Sequence, residues 1–418
     1  MSNTDTDTDT DTDTDTRLSK WAAEIRQIRQ KIAADDTIKV RAFRHLQDII
    51  AFNNVLFYTG FFFSLFLDAS YIFPWVMMGL SMSSHWTTVS HHVSHGGYTD
   101  AAPTAASHVN HHKYNRFTYG VKLRRRLVDW IDYILPEACH CEHTIQHHYK
   151  LNEATDPDNV QQNLAILRTL NVPHVIKYAI IAFFALTWRL FYYSPNSYKY
   201  YKASKLKYTM KPDDYKQMTL AGAITNEWPY WISRSEYFTL VLLPVILYRA
   251  ICFAPLYITH TYFPAIFTIN HLHNVVANYA IADLFCNVHT FVIIVPNHAG
   301  RDMYLYNTSV IPKSDEWLLR QCISSANYTA GNDAIDYLQG WLNYQIEHHL
   351  FPDLSAYEYQ RIHHQVRDVC YKYGVPYVCE NVFLRLWKTV KIMTGDENIP
   401  HYEGSELERR MGMNEPKL

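Results

Sequence analysis

Long uncharged apolar segments alternate along the chain with polar stretches rich in histidine. Ile49–Leu67 contains no Asp, Glu, Lys or Arg and is dense in Phe, Leu and Ile, close to the ~20 apolar residues that a membrane-spanning helix needs. Ala69–Met82 is a second apolar segment, with Trp75 placed as an interface anchor. Asp68 between the two predicts a tight helical hairpin. A third segment, Val172–Tyr193, carries Lys177 and Arg189 near its ends, where long side chains are expected to snorkel. A fourth begins at Tyr237, and after Arg249 no charged residue occurs until Asp283. The pattern predicts an all-α membrane protein of transmembrane helical hairpins with four to six spans. Mean hydropathy is only −0.22, so substantial polar mass must lie outside the membrane. It falls in His91–Asn171 and Asn297–Leu418, and an even number of crossings between them brings both to one face.

The N-terminus reads differently. Thr4–Thr16 is an alternating Asp/Thr repeat, which has nothing to bury and repels itself, so residues 1–20 are expected to be disordered. Residues 21–48 are expected to form a basic amphipathic segment, and 49–418 the membrane domain. The repeat does not resemble a signal or transit peptide, being acidic and lacking a basic start. The basic segment after it favours a cytosolic start. The Lys-rich run Tyr198–Lys216 pulls the other way if the third segment crosses once. Net charge is −2 over 418 residues, which gives the chain no basic bias toward nucleic acid. Seven Cys without a CxxC do not form a disulfide framework and read as reduced thiols.

Twenty-three histidines carry the candidate chemistry. His91 and His95 are spaced i, i+4, which on a helix puts both imidazoles on one face. His143, His147 and adjacent His148 repeat the spacing. Acidic residues flank them, and Glu142, Glu153, Asp156 and Asp158 are expected to orient ligand imidazoles through the second ring nitrogen. A third cluster lies in Asn343-Tyr344-Gln345-Ile346-Glu347-His348-His349, and His298 emerges from the last apolar segment. One metal takes at most about six ligands, so eight imidazoles imply two metals. Imidazole suits Fe, Zn, Cu and Ni alike, and ligand chemistry alone does not choose among them. His108, His111 and His112 form a rival second cluster; the 143–148 cluster is preferred for its acidic flank and its distance from His95. His271 and His273 read as core or interface residues, and His363 and His364 as a helix surface.

These clusters resemble the histidine boxes of the membrane fatty-acid desaturase and hydroxylase superfamily. His91–His95 looks like the first box. Glu142–His148, with Ala154–Asp158 downstream, is similar to the second box of the alkane monooxygenase branch. Asn343–Pro352 looks like the third box of front-end acyl desaturases, with Gln345 in place of a leading His. The resemblance covers roughly Ile49 to Tyr357. It implies a bundle of membrane hairpins with a cytosolic helical cap holding two Fe ions, with His91, His95, His143, His147, His148, His298, His348 and His349 as ligands and Gln345 beside them. It further implies O₂-dependent desaturation of a long acyl chain on a membrane lipid or a thioester, in the endoplasmic reticulum membrane with the site facing the cytosol. A hydroxylase on the same scaffold is the alternative. A membrane metal transporter would place its ligands within broken helices at mid-membrane, whereas these clusters lie mostly outside the apolar segments. His95-Gly96-Gly97 is the nearest approach to the HPGG motif of a fused cytochrome b5 domain, and no flavin, haem or iron–sulfur motif occurs. Electrons are therefore expected from a separate donor, cytochrome b5 or ferredoxin. Lys122, Arg124, Arg125 and Arg126 are expected to form a basic patch, for donor docking or for anionic lipid.

Overall fold

The computed structural model describes residues 8–99, 114–116, 119–130 and 132–402, with backbone alone for 8–16. His108, His111 and His112 lie outside the described residues. The first helix, Thr8–Ala33, begins inside the Asp/Thr repeat, and Asp36–Ser64 runs through position 48 without a break. Neither expected boundary, at 20 or at 48, coincides with a helix end. Nor does the first helix lie free on a surface. Trp21, Ile25, Ile28 and Ile32 repeat at helical spacing and are buried, and the helix packs on Ala356–Tyr373. Arg26–Asp315 (2.6 Å), Arg29–Asp353 and Lys372–Glu24 (2.5 Å) rim the contact.

Asp35 starts the second helix by accepting from the backbone N–H groups of Thr37 (2.9 Å) and Ile38 (3.2 Å). The expected hairpin is present. Asp68 Oδ1 accepts from the Ser70 N–H at 2.8 Å, turning the chain into Ile72–Ser84. That helix packs closely on Ile269–Ile294. Gly79 makes the approach possible, because a Cβ there would meet Phe285 Cδ1 at 2.6 Å and the Ala282 carbonyl at 2.9 Å.

Among the described residues three helices are long and apolar enough to cross a membrane: His174–Leu206, Arg234–Tyr262 and Ile269–His298. These three alone fall short of the four to six spans expected. The hairpin helices do not match them, because Asn53 and Asn54 dilute the first, and Ser, His and Thr residues the second as it coils on from Ile72 to His95. Phe62, Phe66, Phe183, Ile251 and Ile258 are exposed, an outward apolar surface of the kind that marks a lipid-facing protein.

Two charged residues in the third segment do not snorkel. Lys177 is buried and donates to the carbonyls of Arg168 (3.0 Å) and Thr394 (2.7 Å). Arg189 is buried against Asp132. Buried carbonyls and a carboxylate satisfy them where water cannot. The basic patch is also smaller than expected. Arg126 is buried and donates to the carbonyls of Leu240 and Val241 (3.1 Å), and Arg125 pairs with Asp129. The exposed cations of the run are Lys122 and Arg124. Among the described residues the polar mass is largely helical, with one short parallel strand pair, Ala326–Tyr328 with Val378–Glu380, in which Ala326 faces Val378. All seven cysteines are free thiols.

Candidate metal centre

Each histidine cluster sits at or beside a local departure from the ordinary α-helix. A π-helical stretch, His85–Ser90, leads directly into the single α-turn His91–His95, which ends at Gly96 in the left-handed region (φ +91°). His143 and His147 lie on a π-helical segment, His140–His147, rather than on the α-helix expected from their spacing. The wider coil still leaves them on one face, with rings stacked at 5.1 Å and 20°; π-segments of this kind often mark functional sites. Beyond helix Ile269–Ile294 the 3₁₀ turn Val295–His298 delivers His298, and the short helix Gln345–Leu350 delivers His348 and His349.

These elements gather seven of the eight expected imidazoles into two groups. His91, His95, His143 and His348 form one, and His147, His298 and His349 the other, with ligand atoms in each group within 4.8 Å of one another. Asp158 makes a third possible set with His143 and His147, so it faces the imidazoles as a donor atom as well as a charge. His148 lies between the two groups. Its ring stacks on His349 at 4.1 Å and sits 4.5 Å from His95 and 4.6 Å from His348.

Outer partners set which nitrogen faces inward. His147 Nδ1 donates to Asp156 Oδ1 at 2.9 Å, and His298 Nδ1 to the Ser324 carbonyl at 3.0 Å. His349 Nδ1 bonds the Gln321 side-chain amide at 3.0 Å. The Tyr359 hydroxyl spends its proton on the Phe351 carbonyl (2.8 Å), so at 3.2 Å it accepts from His348 Nδ1. For His147, His298 and His348 such a bond leaves an Nε2 lone pair directed into the cluster. His348 Nε2 meets His91 Nε2 at 3.0 Å, and Gln345 Nε2 reaches His298 Nε2 at 3.0 Å. Both nitrogens of His95 and His148, and Nε2 of His143 and His349, are buried without a hydrogen-bond partner. Orphaned lone pairs converging in a buried space are costly as they stand and are what a metal ion satisfies.

Electrostatics agree. Burial foremost, then the neighbouring imidazoles, hold His91, His95, His148 and His349 well below the ordinary imidazole pKa, and His348 is lowered likewise. These rings stay neutral, as ligands must. His147 differs: burial pulls it down, but Asp156 and Asp158 outweigh burial and its pKa ends raised.

Two of the acidic residues do not orient an imidazole. Glu153 accepts from Ser309 Oγ (2.7 Å) and the Val310 N–H (3.3 Å), tying down a loop. Glu142 is pushed well above the usual carboxylate range, by burial first and then by the charge of Asp158, and faces Tyr193 and Asp158. Tyr359, Gln321 and Ser324 were not legible in the sequence, being ordinary residues of distant helices with no spacing signal. His92 was passed over as well. It is buried, Nδ1 bonds the Thr88 carbonyl at 2.8 Å, and burial pushes its pKa down to about 4. His271 bonds Thr268 at the start of its own helix, and His363 Nδ1 the Gln360 carbonyl.

A cavity of about 930 Å³ opens beside the clusters. His91, His143, His147 and His298 line its inner part, and Trp86, Phe184, Trp188, Leu164, Ile294 and Leu342 give it apolar walls.

Against known families, residues 107–381 match the model for fatty acid desaturases. The chain belongs to the fatty acid desaturase family. The matched range holds the second and third histidine clusters and His298, while His91 and His95 precede it. Among curated relatives, the chain is similar to an NADPH-dependent stearoyl-CoA 9-desaturase of Mycobacterium tuberculosis, 34% identical over 105 residues, covering 25% of this chain and 24% of the relative. It is similar to an sn-1 linoleoyl-lipid 6-desaturase of Synechocystis, 36% identical over 63 residues, covering 15% and 18%. It is also similar to a chloroplastic acyl-lipid (7-3)-desaturase of Chlamydomonas reinhardtii, 42% identical over 62 residues, covering 15% and 12%. The matches thus span about a quarter or less of these relatives' length. No solved structure matches.

Proposed function

We propose that this chain is an O₂-dependent fatty acyl desaturase whose centre holds two irons. One is held by His91, His95, His143 and His348, the other by His147, His298 and His349, with His148 between them. The observation that supports this best is the pair of buried imidazole clusters, each with ring nitrogens lacking a hydrogen-bond partner, opening on an apolar-walled cavity. An unactivated methylene C–H bond has no acid–base handle, and iron with O₂ supplies the oxidising power that side chains lack. Removing one hydrogen from each of two adjacent carbons, with two external electrons and two protons, gives an alkene and reduces O₂ to two waters.

The chain's own residues have definite tasks in this reading. Trp86, Phe184 and Trp188 pack the acyl chain and exclude water. Asp156, the Ser324 carbonyl and Tyr359 each hold a proton on Nδ1 of a ligand, keeping Nε2 available. Electrons come from a separate donor, cytochrome b5 or ferredoxin. The proposal sets the chain in the endoplasmic reticulum membrane with the centre on the cytosolic face. Protease protection of a tag in the 306–314 loop tests that orientation.

The activity is tested by expressing the full chain in a heterologous host and identifying new lipid species by mass spectrometry. A new double bond is expected, and His348→Ala should abolish it while leaving membrane insertion intact. A new alcohol would make the enzyme a hydroxylase; no new oxidised lipid would defeat the reading.

A further inference from the structure

The outer end of the cavity has an unusual surround. Ile166 lines it and is 85% exposed. Across the mouth, Thr219 and Glu227 line it, and between them helix Leu220–Thr225 presents Ile224 at 87% exposure. Helix Ala165–Thr169 packs on Val382–Thr394, whose outer side carries exposed Phe383, Leu384 and Trp387. Isolated exposed apolar residues are common, but a run of them on three helices around one opening is the mark of a membrane-facing surface.

Among the described residues, charged side chains lining the cavity are few. Lys216 is the only Lys or Arg among the described residues lining the cavity. It already pairs with Asp213 at 2.8 Å, both side chains largely in solvent. Among the described residues, Glu227 is the only carboxylate lining the cavity apart from Asp158. A carrier with several phosphates needs a cluster of cations, best of all arginines; here the lining offers it one lysine, in an exposed and weakly held pair, and an unfavourable glutamate. A headgroup bearing one phosphate and one ammonium meets one group of each sign.

We propose that the cavity takes the acyl chain of a zwitterionic glycerophospholipid, which enters sideways from the bilayer past Ile166 and Ile224 with its headgroup between Lys216 and Glu227. This rests on the desaturase reading and decides between its two carriers, lipid and thioester.

The test uses the purified full chain in detergent and phosphatidylcholine carrying a nitroxide near the end of its stearoyl chain. Electron paramagnetic resonance should show an immobilised component that unlabelled phosphatidylcholine displaces and stearoyl-CoA at the same concentration does not. Glu227→Lys should weaken the phospholipid about three- to fivefold, the scale of one exposed ion pair, and strengthen stearoyl-CoA. Ile166→Asp should reduce immobilisation. Thermal melting checks that each variant is folded, with Glu227→Gln used if the reversal is not. Displacement by stearoyl-CoA as effective as by phosphatidylcholine overturns the proposal. In the expressing host, pulse-labelled stearate should show new double bonds first in phospholipid. Their appearance first in the thioester pool overturns this inference and leaves the desaturase reading standing. No new double bond in any pool defeats the desaturase reading, and the displacement result still judges the lipid site.

Discussion

Asp156→Asn changes one atom of the proposed centre's support. The Asp156 carboxylate is buried and accepts three bonds: Oδ1 from His147 Nδ1 (2.9 Å) and the Asp158 N–H (2.9 Å), and Oδ2 from the Asn152 N–H (2.7 Å). Asparagine has one oxygen for these two positions. With its oxygen toward His147, the NH₂ confronts the Asn152 N–H, and a charge-assisted bond worth about 1.5–3 kcal/mol is lost. Turned the other way, the NH₂ faces His147 Nδ1. It can be accommodated only if the imidazole moves its proton to Nε2, which removes the lone pair meant for the metal. Either way the His147, His298 and His349 site should bind metal about 10–100-fold more weakly, or ~1.4–2.7 kcal/mol. Iron per chain, measured by mass spectrometry with graded chelator, should fall from about two toward about one, while thermal melting shows a folded protein. Tyr359→Phe should weaken the other group through His348. An Asp156→Asn protein that holds both irons with unchanged affinity would refute the assignment of His147.

Arg126→Gln should destabilise the protein by about 1–3 kcal/mol, because the carbonyls of Leu240 and Val241 lose their donor, whereas Arg124→Glu should leave the melting temperature unchanged. Metal-free protein should lose stability as pH falls below about 6.5. His91, His95, His148 and His349 have folded pKa values below the unfolded one, so the unfolded chain takes up more protons in that range; a pH series of melting temperatures checks this. Gly79→Val should cost about 1–3 kcal/mol by forcing its helix off Phe285 and the Ala282 carbonyl, read as lost thermal stability in detergent.

The parts legible in the sequence were those written in local pattern. The hairpin about Asp68 follows from two adjacent apolar runs and one turn residue. The imidazole clusters follow from i, i+4 spacing, and the π-helical form of His140–His147 did not spoil that reading because a wider turn moves His147 only modestly around the axis. What stayed hidden depends on long-range meetings. Arg126 belongs to a charge run that looks solvated, and only the fold shows it filling carbonyls more than a hundred positions away. Lys177 and Arg189 look like residues that must reach water because their buried partners, Thr394 and Asp132, lie far off in sequence. Tyr359 and Gln321 carry no motif, since any helix residue of suitable reach could supply the same bond.

The docking of Thr8–Ala33 on Ala356–Tyr373 has a consequence for synthesis. Arg29 and Asp353 are 324 positions apart, and at 5–20 residues per second the ribosome needs roughly 15–65 s to cover that interval. For that time Trp21, Ile25, Ile28 and Ile32 lack the main native surface that covers them, Ala356–Tyr373. The first helix is fastened long after it is made, and until then its apolar stripe is open to any chaperone or membrane that reaches it first.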